Sequence, residues 1–145
     1  MFIHTLTPRF ADLDTYNHVN NAIYLTYFEE ARIAHMSMIG LRQLLTPRCS
    51  TIIAHAEVDY KAPAKLGDTL DIGVRVSAVR NSAFTLSYQV TRRGDGVLMA
   101  TGNTVQVCFN FELNSPTRIP DEWRKILGAD ADGANARIPA RNAKP

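Results

Sequence analysis

The chain has 145 residues, 46% of them hydrophobic and 21% charged, which is enough apolar surface for one packed core and too little length for two. With 16 basic and 14 acidic residues the net charge is +2, well short of the clustered positive excess that phosphate binding demands, so nucleic acid is not an expected partner. No apolar run approaches the roughly 20 residues that span a bilayer, and MFIHTLTPRF lacks the charged-then-apolar order of a signal peptide, so the expected compartment is the cytoplasm. Cys49 and Cys108 stand in no CxxC or paired-histidine pattern, so neither a structural metal nor a disulfide is expected, and no cofactor.

From Phe2 towards Asp12 the alternation of Ile3, Thr5 and Thr7 with Phe2, His4 and Leu6 predicts an edge strand that Pro8 interrupts. Asp12-Leu-Asp14-Thr-Tyr-Asn17-His18 follows, rich in side chains that bond their own backbone and so favour turns and caps. Asn21 to Ile39 is free of proline and ends at Gly40, predicting about five turns of largely buried helix with a left-handed glycine cap. Its polar positions are Thr26, Glu29, Glu30, Arg32 and Ser37; Ile23, Tyr24, Tyr27, Phe28, Ala31, Ala34 and Met38 fill the remainder.

Beyond Pro47 the period changes to two. Ile52, Ala54, Ala56, Val58 and Tyr60 alternate with Ile53, His55, Glu57, Asp59 and Lys61, predicting a strand with one wet face. The alternation recurs at Leu70–Val76, at Phe84–Val90 and, less cleanly, from Val97 to Phe109. Turn residues at Leu66-Gly67-Asp68, Asn81-Ser82 and Gly94-Asp95-Gly96 predict consecutive hairpins, hence a five-stranded antiparallel sheet curled around one helix, an α+β domain over residues 1–128. Residues 129–145, rich in Ala, Asp, Asn and Pro, are expected to form a mobile tail.

The polar residues between Asp12 and Asn21 carry the chemical information, because they precede a buried helix. A helix start presents amides without intrahelical partners and a partial positive charge, which together stabilise an oxyanion. The amides of Asn20 and Asn21 are the candidate donors, and Asp14 is a carboxylate able to fold back to the same mouth as base or nucleophile. The same residues also serve as plain turn and cap formers, and a histidine such as His18 is more often structural than catalytic.

The string Phe10-Ala-Asp12-Leu-Asp14-Thr-Tyr-Asn17-His18-Val19-Asn20-Asn21, continuing to Tyr24 and to Glu29-Glu30-Ala31-Arg32, resembles hotdog-fold acyl-CoA thioesterases of the 4-hydroxybenzoyl-CoA thioesterase family. It is most similar to the branch with HVNN and EEAR motifs, which includes long-chain acyl-CoA thioesterases. Asp59-Tyr60-Lys61-Ala-Pro63, Gly67-Asp68-Thr-Leu70 and Ile119-Pro120 extend the resemblance to about residues 5–127.

It implies a long central helix wrapped by a curved sheet, edge-paired into a homodimer or into a tetramer built as a dimer of dimers, with acyl-CoA as substrate and the sites between subunits. Asp14 matches the catalytic aspartate, Asn21 the amide that holds the thioester oxygen, and His18 and Asn20 the remainder of the motif. Tyr16 stands where a related plant pattern has asparagine, so His18 is given an auxiliary role. Tyr24, Tyr27 and Phe28 are expected around the acyl group, while Lys61 and Arg80 are expected near the CoA phosphates. Alternatives are a hotdog hydratase or dehydratase acting on enoyl-CoA, or an acyl-CoA-binding protein without chemistry.

Overall fold

A computed structural model describes residues 1–133; residues 134–145, most of the expected tail, lie outside the described residues. The elements in order are β1 (Phe2–Leu6), α1 (Ile23–Met38), β2 (Ser50–Tyr60), β3 (Leu70–Val79), β4 (Ala83–Arg92), β5 (Leu98–Asn110), β6 (Ser115–Pro116) and α2 (Asp121–Ala131), with single helical turns at Phe10–Asp12 and Arg42–Leu44. The strands form one antiparallel sheet in the order β1-β3-β4-β5-β2, and β6 adds two residues beside β5. This is the α+β hotdog arrangement of a helix against a curled sheet, with a sixth, very short strand beyond the five expected.

Helix α1 buries Tyr24, Tyr27, Phe28, Ala31 and His35 along one face, a stripe with the three- and four-residue spacing of a helix surface. Met36 is buried as well, outside that stripe. Leu25, Ile33 and Met38 stay 41–42% exposed, so the helix is less buried than its apolar composition predicts. The helix stops where expected: Gly40 takes φ +82° and the Leu41 amide donates to the Met36 carbonyl at 2.9 Å, closing the last turn.

The face receiving that stripe carries Leu70, Ile72, Val74 and Val76 of β3 and Phe84, Leu86, Tyr88 and Val90 of β4, all buried. Phe28 stacks on Tyr88 with centroids 4.2 Å apart and planes within 7°. It reaches the sheet over Gly102, where an added Cβ would overlap the Phe28 ring and lie 2.5 Å from the Glu57 carbonyl oxygen. Glycine is required there by close approach.

Two parts of the sheet depart from expectation. Only β3, β4 and β5 form a meander; β2 pairs with β5 at the far edge. The connection over residues 61–69 crosses instead of turning back, because the loop before α1 captures it: the Val19 amide donates to the Ala64 carbonyl at 2.8 Å, and His18 bridges to Lys65. Strand β2 is also exposed or half-buried throughout, so both of its faces are wet. A register shift between Ile53 and His55 puts Ile53 opposite Gln106 and Ile52 opposite Val107. One extra residue thus exchanges the two faces and breaks the simple alternation.

Helix α2, absent from the sequence prediction, packs against β3 and buries Trp123, Leu127 and Asp130. Strand β1 covers β3 only from Leu70 to Val74. Further along, the Val76 amide donates to Asp130 at 2.9 Å, and the other Asp130 oxygen lies 3.0 Å from Nε2 of the fully buried His35. The described part of the tail therefore begins as ordered helix through Ala131. Cys49 and Cys108 are free thiols with sulfurs 2.9 Å apart; burial and the neighbouring sulfur push Cys108 up to about 12.

Burial opposes ionisation of Asp130, but the His35 ring and the Val76 amide hold its carboxyl below the ordinary 3.8. A lowered folded-state value contributes stability above the ordinary carboxylate range and loses it as pH falls through that lowered value. Asp130→Ala should therefore cost about 1–3 kcal/mol for each buried group left unpaired, with the gap to the wild type narrowing only in acid; urea melts at pH 7 and below 4 check this. Gly102→Ala should cost about 1–3 kcal/mol through overpacking, read as a lower urea midpoint with an unchanged slope.

Candidate active site

The loop between β1 and α1 is organised by Asp12, which is 1% exposed. Its carboxylate accepts from the Arg9 amide at 2.9 Å, the Arg9 guanidinium at 3.1 Å and the Tyr27 hydroxyl at 2.7 Å. Its carbonyl accepts from the Asn20 amide at 2.8 Å. Burial works against the charge, yet the Arg9 and Tyr27 donors together hold Asp12 below the usual carboxylate range. Burial and the hydrogen bond to Asp12 push Tyr27 upward, so it remains a donor. One carboxylate thus ties the loop to α1.

Within that frame the chain makes a tight reversal. Asp14 exchanges backbone contacts with His18 and Asn17, while Asn17 adopts φ +60°, a left-handed conformation that asparagine accepts better than most residues. Oδ1 of Asp14 accepts from the Tyr16 amide at 2.8 Å and the His18 amide at 3.2 Å. Oδ2 has no hydrogen-bond partner among the described residues.

The start of α1 divides the two expected amide donors. The Asn20 amide is taken by Asp12, and Asn20 Oδ1 accepts from the Ala22 amide at 2.9 Å. Both the amide and the side-chain oxygen of Asn20 are thus engaged within the loop, the amide by the backbone of buried Asp12. The Asn21 amide donates to no group among the described residues, whereas its carbonyl accepts from the Tyr60 hydroxyl at 2.7 Å.

A cleft of about 340 Å3 is lined by Asp14, His18, Val19, Asn21, Tyr24, Tyr60, Lys61, Ala62 and Pro63. It joins the carboxylate, the histidine and the uncommitted amide, with two aromatic rings on one side; Tyr24 meets Tyr60 edge-on at 5.2 Å and 79°. Burial raises Tyr24 above its ordinary value despite the Ala64 backbone, so its ring enters the cleft wall uncharged. A roomier depression of about 470 Å3 around Arg75, Ser87 and Gln89 shares no residue with this cleft and contains neither Asp14 nor the helix start.

Of the expected site residues, Asp14, His18, Asn21, Tyr24 and Lys61 converge here. Tyr27 and Phe28 do not. The first is committed to Asp12 and the second to Tyr88, because three to four residues beyond Tyr24 the same helix face has passed from the rim into the core. Arg80 lies in the β3–β4 turn, its amide donating to the Ala83 carbonyl, at the opposite end of the sheet. Tyr60 is, in the sequence, the last apolar residue of an alternating strand and part of the 59–63 segment of the resemblance; no local pattern distinguishes a strand tyrosine from one that bonds a helix start. Removing the organising carboxylate with Asp12→Ala should leave the Tyr27 hydroxyl and the Arg9 amide without acceptors and cost about 1–3 kcal/mol per buried donor, measured by urea unfolding.

Residues 8–127 match the Thioesterase-like superfamily. The chain is 30% identical over 128 residues to a 1,4-dihydroxy-2-naphthoyl-CoA hydrolase of Synechococcus elongatus, covering 86% of this chain and 93% of that one. It is 28% identical over 116 residues to the long-chain acyl-CoA thioesterase FadM of Escherichia coli, covering 79% and 88% respectively. A thioesterase of Thermus thermophilus, solved in complex with coenzyme A and zinc, superposes with a TM-score of 0.77 at 32% identity over 90% of this chain and 94% of that one. A carboxylate oxygen and a helix-start amide that share one cleft and have no partner among the described residues agree with these likenesses, and the chain belongs to the Thioesterase-like superfamily.

Proposed function

We propose that the cleft hydrolyses the thioester of an acyl-CoA to the free acid and CoA. The observation that carries this reading is that Asp14 and the Asn21 amide line one cleft while neither Oδ2 nor that N–H has a hydrogen-bond partner among the described residues. The thioester oxygen faces the Asn21 amide, where the helix start favours the negative charge that develops as the carbonyl carbon becomes tetrahedral. Oδ2 either takes a proton from a water that attacks that carbon or attacks it directly; collapse of the intermediate breaks the C–S bond, and the departing CoA thiolate takes up a proton. In the direct route, water then cleaves the Asp14–acyl anhydride. His18, beside them in the cleft wall, assists by polarity and position, and Tyr24 flanks the acyl group.

The charged end of CoA needs cations. Lys61 supplies one at the cleft. Arg80 reaches the nucleotide in a homodimer: a two-fold pairing of exposed β2 edges runs the two copies of β2 antiparallel, which brings the partner's β3–β4 end towards this chain's cleft. Strand β2 suits that role, with 11 residues along a free edge and Ile52 and Ile53 exposed at 36% and 44%, a surface that natural sheets normally cover. Exposed Ile33 of α1 shares a cavity wall with Thr51 of β2 and extends that surface, and a dimer of such dimers gives the tetramer. No helix among the described residues is long and apolar enough to cross a membrane, and the substrate class agrees with a cytoplasmic site of action.

The test is thiol release from a panel of acyl-CoAs, from acetyl to palmitoyl together with benzoyl. Asp14→Asn keeps an oxygen for the Tyr16 and His18 amides, so its melting curve should match the wild type while turnover falls by about 10²–10⁴-fold. Undiminished thiol release by the folded variant rejects the role of Asp14. Acyl-CoA binding with no thiol release by the wild type rejects hydrolysis altogether.

A further inference from the structure

We infer that Tyr60 is a positioning residue for the oxyanion amide, an inference that rests on the hydrolase reading above. Residue 21 sits between two peptide planes, and the direction of its N–H depends on both being held. The plane that carries this N–H is held through the Asn20 carbonyl, which accepts from the Ile23 amide at 3.0 Å. The next plane has no such support from the helix. A helix beginning at Asn21 would direct the Leu25 amide to the Asn21 carbonyl, but Leu25 instead donates to Ala22 at 3.3 Å, leaving the Asn21 carbonyl outside the ladder. The Tyr60 hydroxyl supplies the missing donor at 2.7 Å.

The consequence is geometric. With Tyr60 bonded, the Asn21 carbonyl is held towards β2 while Leu25 pairs with Ala22, and the φ and ψ of residue 21 are fixed from both sides. Without the hydroxyl, that carbonyl loses its one partner among the described residues, its peptide plane is free to swing, and the setting of the Asn21 amide loosens with it. The tyrosine comes from β2, and its ring is itself set edge-on against Tyr24 at 5.2 Å. The site thus depends on a strand that otherwise touches α1 sparingly. Tyr60 is 50% exposed, so its hydroxyl is not needed to satisfy a buried core.

The test compares wild type with Tyr60→Phe, which keeps the ring and removes the hydroxyl, and Tyr60→Leu, which removes both. Two measurements are made on the full chain: 15N relaxation dispersion of the Asn21 amide, and steady-state thiol release with whichever acyl-CoA the wild type hydrolyses fastest. Tyr60→Phe should show millisecond exchange at Asn21 that the wild type lacks, a kcat reduced by about tenfold with KM within about twofold, and an unchanged melting temperature. An Asn21 amide indistinguishable from wild type overturns the inference, as does a raised KM at full kcat, which would make Tyr60 a substrate contact. Loss confined to Tyr60→Leu also overturns it, since packing alone would then account for the role. A wild type inactive towards every acyl-CoA defeats the hydrolase reading, while the amide measurement still decides whether Tyr60 holds Asn21.

Discussion

The site is built around a buried carboxylate that does no chemistry. Asp12 gathers two donors from Arg9 and one from Tyr27 on its side chain, and its carbonyl takes the Asn20 amide. Ionised groups in such surroundings are tolerated only when their acceptor capacity is used, and these donors come from both sides of the loop. Tyr27 is the inward anchor on α1, so the loop is referenced to the helix and, through Phe28 and Tyr88, to the sheet. Asp14 and Asn21 occupy the two ends of the segment that Asp12 holds. Their convergence depends on that anchor more than on any contact between the two.

The same economy decides which amide is free. Four amides at a helix start have no intrahelical acceptor, and here the fold consumes them selectively. Asn20 donates to Asp12, Ala22 to the Asn20 side chain and Ile23 to the Asn20 carbonyl. The Asn21 amide keeps no acceptor among the described residues and lines the cleft, beside a carboxylate with one oxygen held by backbone amides and the other unpaired among the described residues. Buried polar groups of the loop are satisfied by the scaffold, and the proposed hydrolysis draws on the donor and acceptor that the fold leaves uncommitted among the described residues.

Much of this is legible in the residue order. The turn-forming run from Asp12 to His18, the helix ending at Gly40 and the alternating strands each follow local rules, and α1 and β3–β5 lie where those rules place them. Helix α2 is not legible, because Gly128 and Asp130 inside it look like helix-breaking and solvent-seeking residues; Asp130 is acceptable there because Val76 and His35 bond it. The face of Ile52 escapes a sequence reading for a different reason. A bulge near Ala54 reverses the alternation, and nothing local to an alanine between isoleucine and histidine announces a bulge.

Local residue choice was sufficient for α1, for β1 to β5 and for the candidate carboxylate, since capping, turn formation and periodicity act over a few neighbours. Contacts between residues distant in the chain settled the remainder. Whether Asn20 or Asn21 offers its amide depends on Asp12, whose own burial depends on Tyr27; whether Tyr27 and Phe28 meet substrate depends on where the sheet curls against α1. Tyr60 reaches the helix start because β2 crosses to the far edge of the sheet, a path imposed by the 61–69 connection docking on Val19 and His18. Hydrogen-bond acceptors are shared out across the fold, so a donor left over at the helix start cannot be identified until the strands and loops around it are in place.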